Sequence, residues 1–465
     1  MSLTSAIHSA ISGLGVVSRR AEMVSNNIAN ATTEGYARRS LSLQPGTLSP
    51  GVRATAVLRD VDANLLRETR LAGAEAEGTA LLARNLARIE AAYGTPGQEG
   101  GIAQSISRLE TALISAAADP SSETRLAGVA DAVTGLARQF ARTSTSLQTI
   151  RQEADSRIAA DVERVNDNLA RLEKLDRQIV SLRAAGRDVS SFLDQRQSAL
   201  DQIAQILPVK EQERGDGRLA LVTGTGLVLY DGRAAQFGFS RTPGLSAGPN
   251  PQPSGLTLNG TAVPTGPDGP VAGGRLGAAF QLRDDIAPQV QIGLDALAAQ
   301  MIDRLAAADP TLPPGAAGLL TDGGAAADPQ NRAGLSLRLR LNPIVDEARG
   351  GSLWPIRSGL AATAPGPVAE ASLLSAMVDQ LTHGVQTPAL SAAALLDTVS
   401  HHRVTAEVDA TQAAARASVL GGQVAAAGVN TDSELQDLMQ IEKAYAANAR
   451  VLQAVDEMLQ FLLGR

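Results

Sequence analysis

Apolar residues at the two ends of the chain recur with one spacing. Near the N-terminus Leu3, Ile7, Ala10, Leu14, Val17, Ala21, Val24, Ile28 and Ala31 follow one another at alternating steps of 4 and 3. Near the C-terminus Leu438, Ile441, Tyr445, Asn448, Leu452, Val455, Leu459 and Leu462 do so at alternating steps of 3 and 4. Each series is the seam of a helix that needs a partner helix, and the plain reading pairs the two termini as a coiled coil. Asn448 lies inside the second seam, where an amide sets register at some cost in stability. "TDSE", Thr431 to Glu434, fits a capping box that starts the C-terminal helix. The N-terminal helix is weaker. Gly13 and Gly15 each cost roughly 1 kcal/mol relative to Ala, and alanines in the seam bury little, so this helix orders only when packed.

Between the ends the pattern is mostly helical. Residues 61–93, 102–118, 123–185 (one long helix or a helix pair) and 190–207 read as helices, stopped at Gly94, Asp119-Pro120, Gly186 and Pro208. After Pro208 "RLALVTGTGLVLYDGRAAQFGFS" alternates and is rich in turn residues, which predicts short strands and hairpins. Pro and Gly crowd residues 244–274, and helix returns over 275–306, with Pro288 a kink or boundary. Residues 309–367 are loop and strand, with "LSLRLRLNP" the best strand; helices then run from Val368 through 390–427 to the end.

The expected fold is therefore mainly α with a β-rich insertion. Residues 1–40 with 429–465 form a terminal coiled-coil domain. Residues 41–207 with 275–308 and 368–428 form a helical rod domain. A β-rich domain covers 208–274 and faces outward, and the loop-rich 309–367 joins that outer part.

Composition narrows the function. Of 465 residues only 2% are aromatic, and the net charge is −7. That suits neither an aromatic-walled ligand pocket nor a nucleic-acid surface. There is no cysteine, which excludes disulfides, thiolate nucleophiles and zinc–thiolate sites. No apolar run reaches the 18 residues of a membrane span, and "MSLTSAIHSAISGLGVVSRR" lacks the positive start of a secretory signal. The four histidines are His8, His383, His401 and His402; the adjacent pair points about 100° apart on a helix and does not chelate one metal. "TGTG", Thr223 to Gly226, lacks the third Gly and the following helix of a dinucleotide site. Asp284-Asp285 and Asp322 lack calcium-loop spacing. Neither catalysis nor a cofactor is expected.

One stretch asks for another account. "MVSNNIANATTEGYARR" puts Asn26, Asn27 and Asn30 late in a helix, although Asn is a mediocre helix former. Asn26 and Asn30 share a face, and an amide both donates and accepts hydrogen bonds. The alternatives are a solvated polar face or a packed amide surface between helices.

"SAISGLGVVSRRAEMVSNNIANATTEGYARR" resembles the N-terminal signature of flagellar axial proteins: a Ser/Ala/Leu helix, S-N-N-I-A-N, then a T-x-G-Y/F turn. "GVNTDSELQDLMQIEKAYAANARVLQAVDEMLQFLL" resembles their C-terminal signature, whose core here ends at Arg450, with Glu442-Lys443 replacing the usual Gln. "SSFLDQRQSALDQIAQILPVKEQERGDGRLALVTGTGLVLYDG" and "GGRLGAAFQLRDDIAPQVQIGLDALAAQMIDRL" are similar to the family of the first flagellar hook-associated protein. That resemblance implies a structural adaptor, not an enzyme, which polymerises at the distal end of the hook and forms the junction to the filament. It implies partners: further copies of the chain in a ring or tube segment, the hook protein, a second junction protein on the filament side, and an export chaperone at the C-terminal helix. It implies an extracellular place, reached through the flagellar type III apparatus without a cleaved signal. In this reading the seams and Asn26, Asn27 and Asn30 pack in the inner tube, Gly35 ends the helix in a left-handed turn, and Tyr36 anchors the connection onward. The alternatives are a rod or hook subunit, or a secreted axial scaffold carrying a binding or enzymatic module in 208–367.

Overall fold

The computed structural model describes residues 3–33, 35–46, 51–94, 100–214, 218–245, 247, 253–462 and 464, the side chains of Glu213 and Leu462 excepted. In chain order come α1 (Leu3–Ala29), β1 (Arg39–Pro45), β2 (Val52–Arg59), α2 (Ala63–Tyr93), α3 (Ile102–Ala118), α4 (Glu123–Ala184) and α5 (Ser190–Ala204). Then come β3 (Val209–Glu213), β4 (Leu219–Thr223), β5 (Val228–Asp231), β6 (Phe237–Gly238), β7 (Leu256–Leu258), β8 (Thr261–Val263), α6 (Arg275–Gln281), α7 (Ala287–Ala307) and β9 (Leu320–Asp322). The last elements are α8 (Leu335–Arg338), β10 (Leu339–Leu341), α9 (Pro355–Ser358), α10 (Ser372–Thr382), α11 (Pro388–Ala426) and α12 (Thr431–Leu462). The chain is mainly helical with small sheets, as the pattern predicts. Among the described residues no helix is long and apolar enough to cross a membrane.

The chain divides into two compact units, one of Met1–Ala76, Glu163–Phe237 and Ala413–Arg465, the other of Glu77–Val162 and Gly238–Gln412. The division cuts the segment 208–274 between Phe237 and Gly238.

In the first unit α1 packs along α12. Val17, Val24 and Ile441 form a small core that Ala21, Ile28 and Leu438 flank. The antiparallel β1–β2 hairpin, Arg39 opposite Arg59, lies against α1. Strands β3, β4 and β5 form an antiparallel meander. It is tied to α4 by Asp176, whose carboxylate is 2.9 Å from Arg196 of α5 and accepts from the Leu219 amide and the Tyr230 hydroxyl. "TGTG" is the turn between β4 and β5, closed by the Gly226 amide donating to Thr223 O at 3.0 Å.

The second unit has the larger core. Ile106, Leu109 and Leu113 of α3, Val133, Leu136 and Phe140 of α4, Leu294 and Ile302 of α7, and Leu374 and Met377 of α10 are all buried in it. Each such side chain contributes about 1.5–3 kcal/mol on leaving water. Pro288 stands in the first turn of α7, directly after a π turn over Leu282–Ile286 that continues from α6; Arg283 O, five residues before it, accepts from Arg151 Nε at 3.1 Å. Arg283 is 1% exposed. It is paired with Asp155 and Asp284 at 2.7 Å and sits over the rings of Phe280 and Phe239.

Of the two readings of 123–185 the structure has the single helix, Glu123–Ala184, of 62 residues. Local expectations change in two places. Only the Leu339–Leu341 end of "LSLRLRLNP" is a strand, paired with Leu320–Asp322; Leu335–Arg338 is a helical turn. The cause is the buried Asp295 carboxylate, which accepts from the Gly334 amide, the Ser336 amide and the Ser336 hydroxyl at 2.6–2.9 Å. Those bonds bend the segment and override its β pattern. The cap of α12 is also displaced: Asn430 Oδ1 accepts from the Ser433 amide at 3.1 Å, so Asn430, not Thr431, is the N-cap. Glu434, freed from a capping box, turns to another task.

Candidate functional site

Glu434 faces α1. It is 1% exposed and so is Asn27. Asn27 Nδ2 donates to Glu434 Oε2 at 3.0 Å and to Arg39 O at 3.0 Å. Asn27 Oδ1 accepts from the Tyr36 hydroxyl at 2.8 Å and from the Arg39 amide at 3.1 Å. Both donor protons and both lone pairs of one amide are used. The other Glu434 oxygen accepts from Arg38 Nε at 2.6 Å, and Arg38 reaches Asp437 at 3.4 Å. A buried carboxylate thus has a cation and an amide as partners, the condition under which burying charge is tolerable.

The same knot ties in the hairpin and α5. Asp194, early in α5, lies 2.7 Å from Arg39 and 2.8 Å from Arg59, and Arg59 also donates to Gln197 at 2.9 Å. The Arg39 guanidinium stacks on the Tyr36 ring, 4.9 Å from its centroid. The chain reaches this arrangement through turns: Thr33 N donates to Asn30 O and Tyr36 N to Thr33 O. Gly35 has φ +79°, and an added Cβ would lie 3.6 Å from Asp194 O and Ser198. Helix α1 has stopped earlier, at Ala29, so Gly35 serves a later turn rather than the end of the helix.

The electrostatics follow. The hydrogen bond to Glu434 holds the Arg38 guanidinium above its ordinary pKa. Burial pushes Arg59 down, against the pull of Asp194. Burial raises the Tyr36 phenol; Arg39 opposes this, and Asp194 and Glu434 add to it. Nothing here pairs a nucleophile with a base. The arrangement is a lock joining α1, β1, β2, α5 and α12.

The seam residues are placed unevenly. Val17, Val24, Ile441 and Val455 are buried, and Ile7, Leu14, Ile28, Leu438, Asn448, Leu452 and Leu459 are half-buried. Tyr445, expected in the seam, is 53% exposed, because α12 turns that position away from α1. The side chain of Leu462 lies outside the described residues. Asn448 packs on Gly13, where an added Cβ would meet its amide oxygen at 3.0 Å; Gly13 lets the helices approach. Arg450 and Asn26 are exposed. Asn30 donates to Asn26 O and accepts from Thr33. The three asparagines are therefore not equivalent: Asn27 is spent inside the chain, and Asn26 is free to meet a neighbour.

Sequence reasoning missed Arg38, Arg39, Arg59 and Asp194. A signal was present, since Asp194 belongs to the L-D-Q-R element, Leu193 to Arg196, of the "SSFLDQRQSALDQ" stretch that carries the resemblance, and Arg38 and Arg39 closely follow Tyr36. Among the described residues no group of three or more His, Asp or Glu is placed to hold a metal ion.

Three family models match the chain. One, described as the flagellar hook-associated protein FlgK helical domain, covers residues 86–309. One for the C-terminal part of flagellar basal body rod FlgEFG proteins covers 420–465, and one for flagella basal body rod proteins covers 7–36. The chain is 26% identical over 246 residues to flagellar hook-associated protein 1 of Salmonella typhimurium, across 50% of this chain and 44% of that one. It is 24% identical over 221 residues to the Bacillus subtilis protein of the same name, across 44% of this chain and 43% of that one. The chain thus spans under half the length of these curated relatives. The structure of the flagellar hook junction protein FlgK from Burkholderia pseudomallei aligns with a TM-score of 0.47 at 18% identity, over 56% of this chain and 47% of that one.

Proposed function

We propose that this chain is a member of the flagellar hook-associated protein 1 family and a structural subunit that polymerises at the distal end of the flagellar hook and forms the junction to the filament. The family is a structural component of the flagellum. In this reading residues 1–40 and 429–465 line the inner tube, the helical segments form a surrounding rod, and 208–274 faces outward. The partners are further copies of the chain, the hook protein, a second junction protein and, before assembly, an export chaperone at α12. The place of action is outside the cell.

One observation carries the reading. The helix pair is locked within the chain by Asn27 and Glu434, yet it leaves apolar side chains uncovered. Ile11 of α1 is 55% exposed; on α12 Leu435 (50%), Met439 (55%), Val451 (45%), Met458 (54%) and Phe461 (87%) are bare. A helix pair fixed in register but apolar on its outside is built to be covered by like pairs.

The test is electron microscopy of cells lacking the gene, with the medium assayed for filament protein. Hooks without filaments and shed filament subunits are expected. Intact filaments would overturn the proposal, and missing hooks would move the chain to the rod or hook.

A further inference from the structure

Beside the lock lies a groove of about 660 Å³, lined by α1, the hairpin and the turn from α4 to α5. Its walls carry Arg19, Arg39, Arg59, Arg183 and Arg187 against only Glu22 and Asp188. Arg39 and Arg59 share the single negative charge of Asp194, which leaves one positive charge over, and Arg19, Arg183 and Arg187 make no salt bridge with another described residue. Apolar surface is interleaved: Met23 and Leu41 are half-buried, and Leu58 is 52% exposed.

The complementary surface is at the other end of the same helix pair. The last three turns of α12, "VLQAVDEMLQFL", carry Asp456 and Glu457 and no cation, beside the bare Met458 and Phe461. Because Asn27 meets Glu434 and Gly13 meets Asn448, the helices run antiparallel. Glu457 therefore lies level with residue 4, roughly 28 Å along the axis from Met23, at 1.5 Å per residue. A chain cannot fill its own groove with its own tail.

We propose that the groove receives the acidic–apolar end of α12 from a second copy of the chain. This deepens the subunit reading and rests on it. Phe461 and Met458 enter against Met23 and Leu58, and Asp456 and Glu457 face Arg19, Arg183 and Arg187. The contact joins two different patches, so it is heterologous and repeats without closing on a pair. It sets an axial step between copies that apolar seams alone leave undefined.

The chain's lack of cysteine makes the test clean. Arg187→Cys and Glu457→Cys are expressed together in cells from which the native gene has been deleted; flagella are then sheared off and oxidised. A disulfide needs Cα atoms within about 7 Å, so a mixed dimer carrying both variants reports contact between copies. That dimer is expected, and Arg187→Cys plus Glu457→Cys in one chain should give a ladder. Glu457→Arg should lower the flagellated fraction at least tenfold, and adding Arg187→Glu should restore most of it. Flagella that form normally with no mixed dimer would overturn the groove contact and leave the subunit reading intact. Homotypic dimers alone would replace it with a symmetric contact. Filaments that persist in the deletion strain would overturn both.

Discussion

Replacing Asn27 tests the lock most directly. Asn27→Ala removes four hydrogen bonds and leaves the Tyr36 hydroxyl, both Arg39 backbone groups and one Glu434 oxygen to find new partners. A net bond is worth about 0.5–1.5 kcal/mol, and a buried group left unpaired costs about 1–3 kcal/mol. The groups share one network, so the terms do not add. Better helix propensity in Ala returns a few tenths of a kcal/mol. The balance is a loss of about 3 kcal/mol in holding α1 on the Tyr36–Arg39 segment and on α12. Hydrogen exchange followed by mass spectrometry on peptides from 3–29 and 431–462 reads it, and a tenfold change in opening is about 1.4 kcal/mol, so exchange should rise roughly a hundredfold. Asn26→Ala, at an exposed position, is the control and should slow exchange slightly. Asn27→Asp is sharper still. It keeps the acceptor for Tyr36 and the Arg39 amide but sets a second carboxylate beside Glu434. Burial and like charge raise the folded pKa of the new group. Its destabilisation is therefore greatest above that value and fades as pH falls toward the ordinary carboxyl range. Exchange in α1 that changes less than about threefold in Asn27→Ala, the spread of surface substitutions, would refute the lock.

Gly15 has nothing within 4 Å of an added Cβ, so Gly15→Ala should stabilise α1 by up to about 1 kcal/mol. Gly13→Ala should gain less or lose, because Asn448 must yield; exchange of the 3–29 peptides separates the two. Asp295→Asn should destabilise the second unit by about 2–4 kcal/mol, since the carboxylate there accepts from two amides, a hydroxyl and Gln291; urea unfolding read by Trp354, which belongs to that unit, measures it. Burial raises Tyr36, Tyr93 and Tyr230 above the ordinary phenol value of 10.0. The stability they give is complete below pH 10 and is lost as pH rises toward their folded values; alkaline unfolding that coincides with phenolate absorbance checks this.

The helices were legible because their apolar spacing has one solution, and the pairing of the termini because both seams needed cover. What the sequence hid is set by contacts distant in the chain. "LSLRLRLNP" alternates like a strand, yet Asp295 some 40 residues earlier bends it. Asn27 reads as a neighbour of Asn26 and Asn30, but one helical position separates a buried amide from an exposed one. Asp194 is 155 residues from Arg39. No local pattern announces such a pair, although the L-D-Q-R element carried the acid in plain view. Tyr445 kept the heptad spacing and still faces out, because spacing fixes a face on an ideal helix and not the path of the partner.

The lock and the seam do different work on the helix pair. Apart from Asn448 the seam is apolar, with Ala, Val, Ile and Leu along α1, and most of its positions would still find apolar side chains opposite after a slip of one heptad, about 10 Å along the axis. A slip of that size takes Asn27 away from Glu434 and leaves a buried carboxylate with one partner fewer, which the energies above make prohibitive. Register is thus set by polar groups that tolerate one arrangement and adhesion by apolar groups that tolerate several. A monomer used once could accept a mixture of registers. A subunit repeated around a tube cannot, because every copy must show its neighbours the same bare Met458, Phe461 and acidic turn at the same height. In the proposed assembly Asn27, one of three amides that look wasteful in a helix, is the residue that gives every copy the same register.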